Sequence, residues 1–281
     1  MSKTAPPSNG SSLSPEEKIL YETKSGGRIA YITLNKPTKY NSIDKDMIFR
    51  FLALLKTADQ DKMVKCVVIR STGDRAFCGG WDFKMSTDKN PEVITFMLTT
   101  ACDVSRAIAF LKKPVIAQIQ GQAVGFGCIL ALATDFRFVA RKAGLFFQLP
   151  EMDIGLPGAT GPTVQSIATL GLPRSKQMML TSAKISVEEV DKWGLITKVC
   201  EPSQLGEEVD KFCQWFVDKQ PILLFTQKTM CNIMGMAMMK PFYDLENEVA
   251  AYFHGHAKNE YPADLDDFIR GLWSKYGAGS P

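Results

Sequence analysis

The chain has 281 residues, 45% hydrophobic and 22% charged, so it is long and apolar enough to bury a full core without covalent staples. Its 33 basic and 30 acidic residues are interspersed and leave a net charge of +3, which excludes a dense basic tract for nucleic acid or for a membrane surface. Seven cysteines, odd in number and without a C-x-x-C pair, argue against a disulfide framework or a zinc cluster and fit a reducing compartment.

Residues 1–17, rich in Ser, Pro, Gly and Asn, read as a flexible tail with no apolar run of signal-peptide length and none of the arginines of a transit peptide. No later segment has the roughly 20 continuous apolar residues that span a bilayer, so a cytoplasmic address with no membrane partner is expected. Ile19–Thr23 and Arg28–Thr33 read as strands joined at Ser25-Gly26-Gly27, and a helix is predicted over Asp46–Ala58 with Met47, Ile48, Phe51, Leu52 and Leu55 on one face. Strands Cys66–Arg70 and Val115–Ile119 flank a helix over Ile94–Phe110, and this alternation predicts an α/β core whose parallel strands are covered on both faces. Ligands in such sheets bind at the C-terminal strand ends, where Gly80–Lys84 and Gly121–Gly127 fall. The polar loop Ser86–Pro91 reads either as a flap over a bound chain or as plain surface. Beyond Pro202 only helices are predicted: Gln204–Lys219, Ile222–Met234, Lys240–His254 and Leu265–Tyr276. The chain thus divides into a tail (1–17), an α/β core (18–202) and a C-terminal helical region (203–281).

The chemistry concentrates in one stretch. Gly125 and Gly127 bracket the start of a short apolar helix, Cys128–Thr134, whose first N–H groups have no partner within the helix and sit at the positive end of its dipole. Such donors suit a developing oxyanion. Glu151 lies between Phe146, Phe147, Leu149 and Pro150 on one side and Met152, Ile154 and Leu156 on the other, a setting that raises a carboxyl pKa and suits a proton shuttle. Asp153 competes as the buried carboxylate, and glycine pairs at such a turn also serve plain packing. Cys78 beside Gly79 and Gly80 is a weaker candidate nucleophile, because the two histidines, His254 and His256, lie far along the chain. The methionines Met230, Met234, Met236, Met238 and Met239 read as adaptable packing rather than a metal site.

Three segments together, LNKPTKYNSID at Leu34–Asp44, AFCGGWDFK at Ala76–Lys84 and the run from Gly121 to Pro162 with its G-x-G-C and P-E-x-x-x-G turns, resemble the crotonase superfamily of enoyl-CoA hydratases and isomerases. The resemblance covers Tyr21 to Pro202. It implies a ClpP/crotonase-like spiral core of ββα units, a C-terminal helical trimerisation region, a homotrimer or hexamer, and an acyl-CoA substrate that carries coenzyme A, with no permanently bound cofactor and no metal. It implies further that the backbone N–H groups of Trp81 and Phe126 hold the thioester oxygen. Asp82, Gly125, Gly127, Ile129, Phe147 and Asp153 then line the acyl pocket, and Lys36, Lys39 and Lys84 are the candidates for CoA phosphates.

Where this chain departs from the pattern is informative. The hydratases resembled here carry glutamates at the places of Ile129 and Glu151, and only the second is present. Unless Asp153, Asp82 or Asp135 replaces the first, a one-base reaction is expected, and the run through Glu151 is similar to the delta-isomerase branch. Double-bond migration therefore leads, with hydratase or hydratase-lyase second. A catalytically weak CoA-ester-binding homologue and other enolate chemistry stand as further alternatives.

Overall fold

The structure, a computed structural model, describes residues 13–86, 90–155, 162–236, 240–255 and 262–276. Its first element is set by a capping box: the Ser14 hydroxyl accepts the Glu17 N–H while the Glu17 carboxylate accepts the Ser14 N–H, starting α1 (Pro15–Lys18). Part of the segment read as tail is therefore a capped turn. β1 (Ile19–Lys24) and β2 (Ile29–Leu34) follow as an antiparallel hairpin, and the turn between them holds Ser25, Gly26 and Gly27 all at positive φ. Every residue of β2 is buried, as expected of a strand covered on both faces. α2 (Lys45–Gln60) starts where the Asp44 carboxylate accepts the Met47 N–H, and it buries Met47, Ile48, Phe51, Leu54, Leu55 and Ala58 at helical spacing.

The remaining elements are β3 (Cys66–Ser71), β4 (Ala76–Cys78), α3 (Phe83–Ser86), α4 (Pro91–Ala109), β5 (Val115–Ile119), β6 (Gln122–Val124), α5 (Phe126–Ala133), β7 (Phe136–Ala140) and β8 (Phe146–Gln148). After them come α6 (Pro162–Thr181), β9 (Ile185–Ser186), α7 (Val187–Lys192), β10 (Lys198–Cys200), α8 (Leu205–Val217), α9 (Pro221–Met236), α10 (Lys240–Gly255) and α11 (Leu265–Tyr276). A six-stranded sheet runs β1-β2-β3-β5-β7-β10, parallel throughout except for β1. A second sheet of four short strands runs β4-β6-β8-β9, parallel except for β9.

The short strands went unseen in the sequence because β4, β6 and β8 are three residues each, too short for any alternation to show. The first helix of the C-terminal region proves to be a core element: Phe212 and Phe216 of α8 meet Phe136 of β7 with ring centroids 5.0 and 5.9 Å apart, and Val209 and Cys213 are fully buried.

α5 is buried on every side, all eight of its residues being inaccessible or nearly so, and it packs against α4, α6, β4 and β6. Its C-terminal end is secured by Arg137, whose guanidinium donates to the carbonyls of Ala131, Thr134 and Leu195. Burial depresses this guanidinium to about 10, and the cation lies at the negative end of the helix dipole. Just beyond, Asp135 accepts from Val115 N–H at 2.7 Å and from Lys228 of α9 at 2.6 Å, tying the C-terminal helices to the same end of α5.

Candidate functional site

β4, β6 and β8 pair in parallel, so their C-terminal ends emerge side by side, and three loops leave the sheet together: Gly79–Asp82, Gly125–Phe126 and Leu149–Glu151. This is the carboxyl edge at which open α/β sheets take ligands. Gly125, at φ 52° and ψ −124°, turns the chain from β6 into α5, a conformation that a side chain disfavours. The first bond of the helix is Ile129 N–H to the Gly125 carbonyl, so the Phe126 N–H precedes the intrahelical ladder.

Trp81 is set by a single parallel bridge to Ile43, in which Ile43 donates to the Gly80 carbonyl and Asp82 donates to the Ile43 carbonyl, both at 2.8 Å. Because successive peptide groups alternate in direction along extended chain, the Trp81 N–H points away from Ile43. Gly80, at φ 93°, brings this peptide against the start of α5: a Cβ on Gly80 would stand 3.0 Å from the Val124 carbonyl and 3.6 Å from the Phe126 nitrogen. The Trp81 and Phe126 side chains stack, with centroids 5.0 Å apart and planes 12° from parallel. Gly127 is held closer still, since a Cβ there would stand 2.1 Å from the Cys78 carbonyl oxygen.

Glu151 opens a turn over 151–155 that is anchored from both sides. Gln148 accepts the Gly125 N–H at 2.9 Å and donates from its side chain to the Ser182 carbonyl at 2.8 Å, while the Ser182 hydroxyl accepts the Asp153 N–H at 3.3 Å. Burial pushes the Glu151 carboxyl up to about 7, outweighing the pull of its own backbone N–H. The Cys128 thiol on the first turn of α5 is raised by burial and then by the Glu151 charge, which places the two side chains within electrostatic reach. Of the apolar residues flanking Glu151, Phe147 and Leu149 are fully buried, whereas Met152 and Ile154 are 46% and 58% exposed. A Cβ on Gly125 would stand 3.8 Å from the Pro150 ring, so the start of α5 lies close to the residue before Glu151.

Comparison with known proteins bears on this arrangement. The family model described as "Enoyl-CoA hydratase/isomerase" matches residues 24–259. The chain belongs to this family. It is 31% identical over 219 residues to the (E)-benzylidenesuccinyl-CoA hydratase of Thauera aromatica, covering 75% of this chain and 80% of that one. With the short-chain-enoyl-CoA hydratase of Clostridium acetobutylicum it shares 27% identity over 206 residues, covering 73% and 78%. Among solved structures, an enoyl-CoA hydratase from Mycobacterium avium subsp. paratuberculosis superposes with a TM-score of 0.76 at 26% identity, covering 90% of this chain and 98% of the other. The fold is therefore the crotonase α/β fold, and this member of the hydratase/isomerase family is an enzyme for CoA thioesters.

Within that family frame, Ile129 is fully buried and apolar. Asp135 does not replace the missing carboxylate, because α5 lies between it and the loops and puts it about 12 Å from the Phe126 end. Asp153 is on the exposed side of its turn. Phe147 is fully buried on β8, opposite Ala123 of β6.

Lys36 is corrected from a phosphate candidate to an internal cation. Its ammonium sits 2.9 Å from Asp82 and 3.1 Å from Asp44, with its side chain only 11% exposed. Lys18 of α1 adds a second bond to Asp44 at 3.1 Å. Burial works to raise both carboxyls, but the Lys36 ammonium and nearby backbone N–H groups outweigh it, and Asp44 and Asp82 lie below the usual carboxylate range. Asp82 is thereby spent on holding the loop rather than offered to a ligand, while Lys39 and Lys84 remain exposed. Lys36→Met is expected to cost roughly 2–3 kcal/mol in urea unfolding at pH 7 and to lower kcat, with Lys36→Arg recovering most of both. The penalty shrinks as pH falls into the depressed carboxyl range, since protonated Asp44 and Asp82 no longer need the cation.

Two supporting residues are not among the expected site residues, although Asn41 lies within the Leu34–Asp44 segment. Asn41, at φ 54° and 1% exposed, accepts the Lys36 N–H and donates to the carbonyls of Thr72 and Ala76, fixing the loop to the start of β4. Ser182, at φ 48°, anchors the Glu151 turn as described. Their partners lie 5 to 35 and 29 to 34 residues away, so only the folded chain reveals them. Cys78 is buried, and burial raises its thiol to about 12, which removes it as a nucleophile. His254 falls in α10 without a described side chain, and His256, Met238, Met239 and the tip of the candidate flap (87–89) lie outside the described residues. Among the described residues, no group of three or more His, Cys, Asp or Glu is placed to hold a metal ion, and no helix is long and apolar enough to cross a membrane.

Proposed function

We propose that this enzyme shifts the double bond of a 3-enoyl-CoA to the conjugated 2-enoyl position. The Trp81 and Phe126 N–H groups hold the thioester oxygen as it becomes an enolate, and Glu151 takes a proton from C2 and returns it at C4. The observation that carries this reading is the Glu151 carboxyl: burial raises it to about 7 beside a helix start whose Ile129 offers no second carboxylate. One base at that value moves a proton in both directions near neutral pH. Hydration or dehydration is the second reading, favoured by the names of the relatives, and it requires a water-orienting group other than Ile129. Lys39 and Lys84 are the candidates for the CoA phosphates. Ile222, Leu223 and Ile233 of α9, at least 60% exposed, supply an apolar surface for the homotrimer or hexamer that the family resemblance implies.

The test follows absorbance of the conjugated thioester with 3-enoyl- and 2-enoyl-CoA substrates across pH. The base acts as a carboxylate, so kcat/KM for 3-enoyl substrates is expected to rise with pH through about 7 and to level off above it. Loss of conjugation from 2-enoyl substrates instead, with no gain from 3-enoyl ones, selects the hydratase reading.

A further inference from the structure

We propose that the Trp81–Phe126 stack is the acyl-reading surface of the site, and that it selects a thioester bearing a flat aryl ring a few carbons from the carbonyl. This rests on the thioester reading above and deepens it.

The two stacked residues are the same two whose backbone N–H groups lie together at the carboxyl edge of the small sheet. Their rings cannot be far from whatever those N–H groups hold, because each ring is tethered to its own backbone by a single methylene. The pair is also asymmetric. Phe126 is 2% exposed, whereas Trp81 is half-buried and packs against the core. The phenyl ring therefore backs the indole, and the surface the pair presents outward is indole. Ile129, three residues after Phe126 and thus on the same helix face, is fully buried as well, so the outward wall is the indole alone.

A wall of this kind does two things. At 5.0 Å and 12° the stack fixes the indole plane, so a ligand meets a rigid, flat face rather than an adaptable pocket. An aryl ring gains a second stacked contact there, whereas a puckered aliphatic ring of similar size must stand off from the plane.

The experiment compares two unreactive thioesters by calorimetry, 3-phenylpropanoyl-CoA and 3-cyclohexylpropanoyl-CoA, against the wild-type chain, Trp81→Leu and Trp81→Phe. Both ligands share coenzyme A and chain length, so the ratio of their affinities isolates the ring. The phenyl thioester is expected to bind the wild type about fivefold tighter, the worth of one stacked aromatic pair. Trp81→Leu brings the ratio to about one, and Trp81→Phe keeps it above one. A wild-type ratio at or below one overturns the proposal, and that measurement stands even where Trp81→Leu fails to fold. Equal weakening of both ligands in Trp81→Leu also overturns it and assigns the indole to the coenzyme portion. Absence of binding by either thioester removes the CoA-thioester reading, and this inference with it.

Discussion

Glu151→Gln is expected to remove turnover while making the fold more stable. Loss of a positioned acid–base group costs about 10²- to 10⁴-fold in kcat, and glutamine keeps the size of the side chain, so thioester affinity is expected to survive. The stability gain has a defined sign. Below its ordinary value near 4.5 the carboxyl is protonated in both folded and unfolded chains, and the wild type carries no penalty. Between that value and about 7 the unfolded chain ionises while the folded site resists, so wild-type stability falls as pH rises and stays low above it. Glutamine has no charge to bury. The variant should therefore match the wild type in urea unfolding at pH 4 and exceed it by about 2 kcal/mol at pH 8, a figure reduced for the partial exposure of the residue. Equal midpoints at pH 8 would show that the carboxylate is well solvated and that the base has been misassigned.

Gly127→Ala is the second large effect, and it separates backbone geometry from side-chain chemistry. The added methyl would lie 2.1 Å from the Cys78 carbonyl oxygen and 2.7 Å from the Cys78 Cβ, so either α5 or β4 must move. Neither is free to do so: α5 is buried on every side, and β4 is itself buried, with Ala76 and Cys78 paired to Gln122 and Ala123 of β6 on either side of a register shift. Overpacking of this kind costs about 3 kcal/mol. Any relief that displaces the first turn of α5 also carries the Phe126 N–H away from Trp81, for a further loss of about 10²- to 10³-fold in kcat. Gly206→Ala provides the contrast. It lies inside α8 with nothing within 4 Å of an added Cβ, and it should stabilise the fold by up to ~1 kcal/mol with activity unchanged. Comparable behaviour of the two variants would mean that α5 can slide on β4.

What the sequence made legible follows from element length and from the reach of each interaction. The hairpin β1–β2, the amphipathic face of α2 and the strands β3 and β5 were visible because their periodicity runs over enough residues to be read. The small sheet was not, and it is the sheet that carries the site. Gly125 and Glu151 stand out in the sequence as a glycine-flanked helix start and a carboxylate in an apolar run, and the family resemblance adds the Trp81 N–H, but neither explains why they meet. Glu151 reads as poorly solvated from the apolar residues on both sides of it, Phe146, Phe147, Leu149 and Pro150 before and Met152, Ile154 and Leu156 after. Phe147 and Leu149 are buried while Met152 and Ile154 are exposed, and burial raises the carboxyl. Lys36 shows the reverse failure: beside a turn it reads as a surface cation, and its partner Asp82 lies 46 residues on. In the sequence, the isomerase reading rests on Ile129 and on the run through Glu151, while the relatives named above are hydratases. The names of the relatives fix the family but not the choice between the two.

The way the three site loops are held has a consequence for how such a chain can be recombined with its relatives. Asp82 depends on Lys36, the Trp81 ring on Phe126, Gly125 on Gln148, and Gln148 and the Glu151 turn on Ser182. These dependencies overlap in series from Lys36 to Ser182 with no position between them at which none is cut. A chimaera joined inside that interval brings together loops shaped by different partners, whereas one joined before Lys36 or beyond Ser182 inherits the site as a unit. Shuffled libraries of this family should therefore concentrate their active members among junctions near the two ends of the chain.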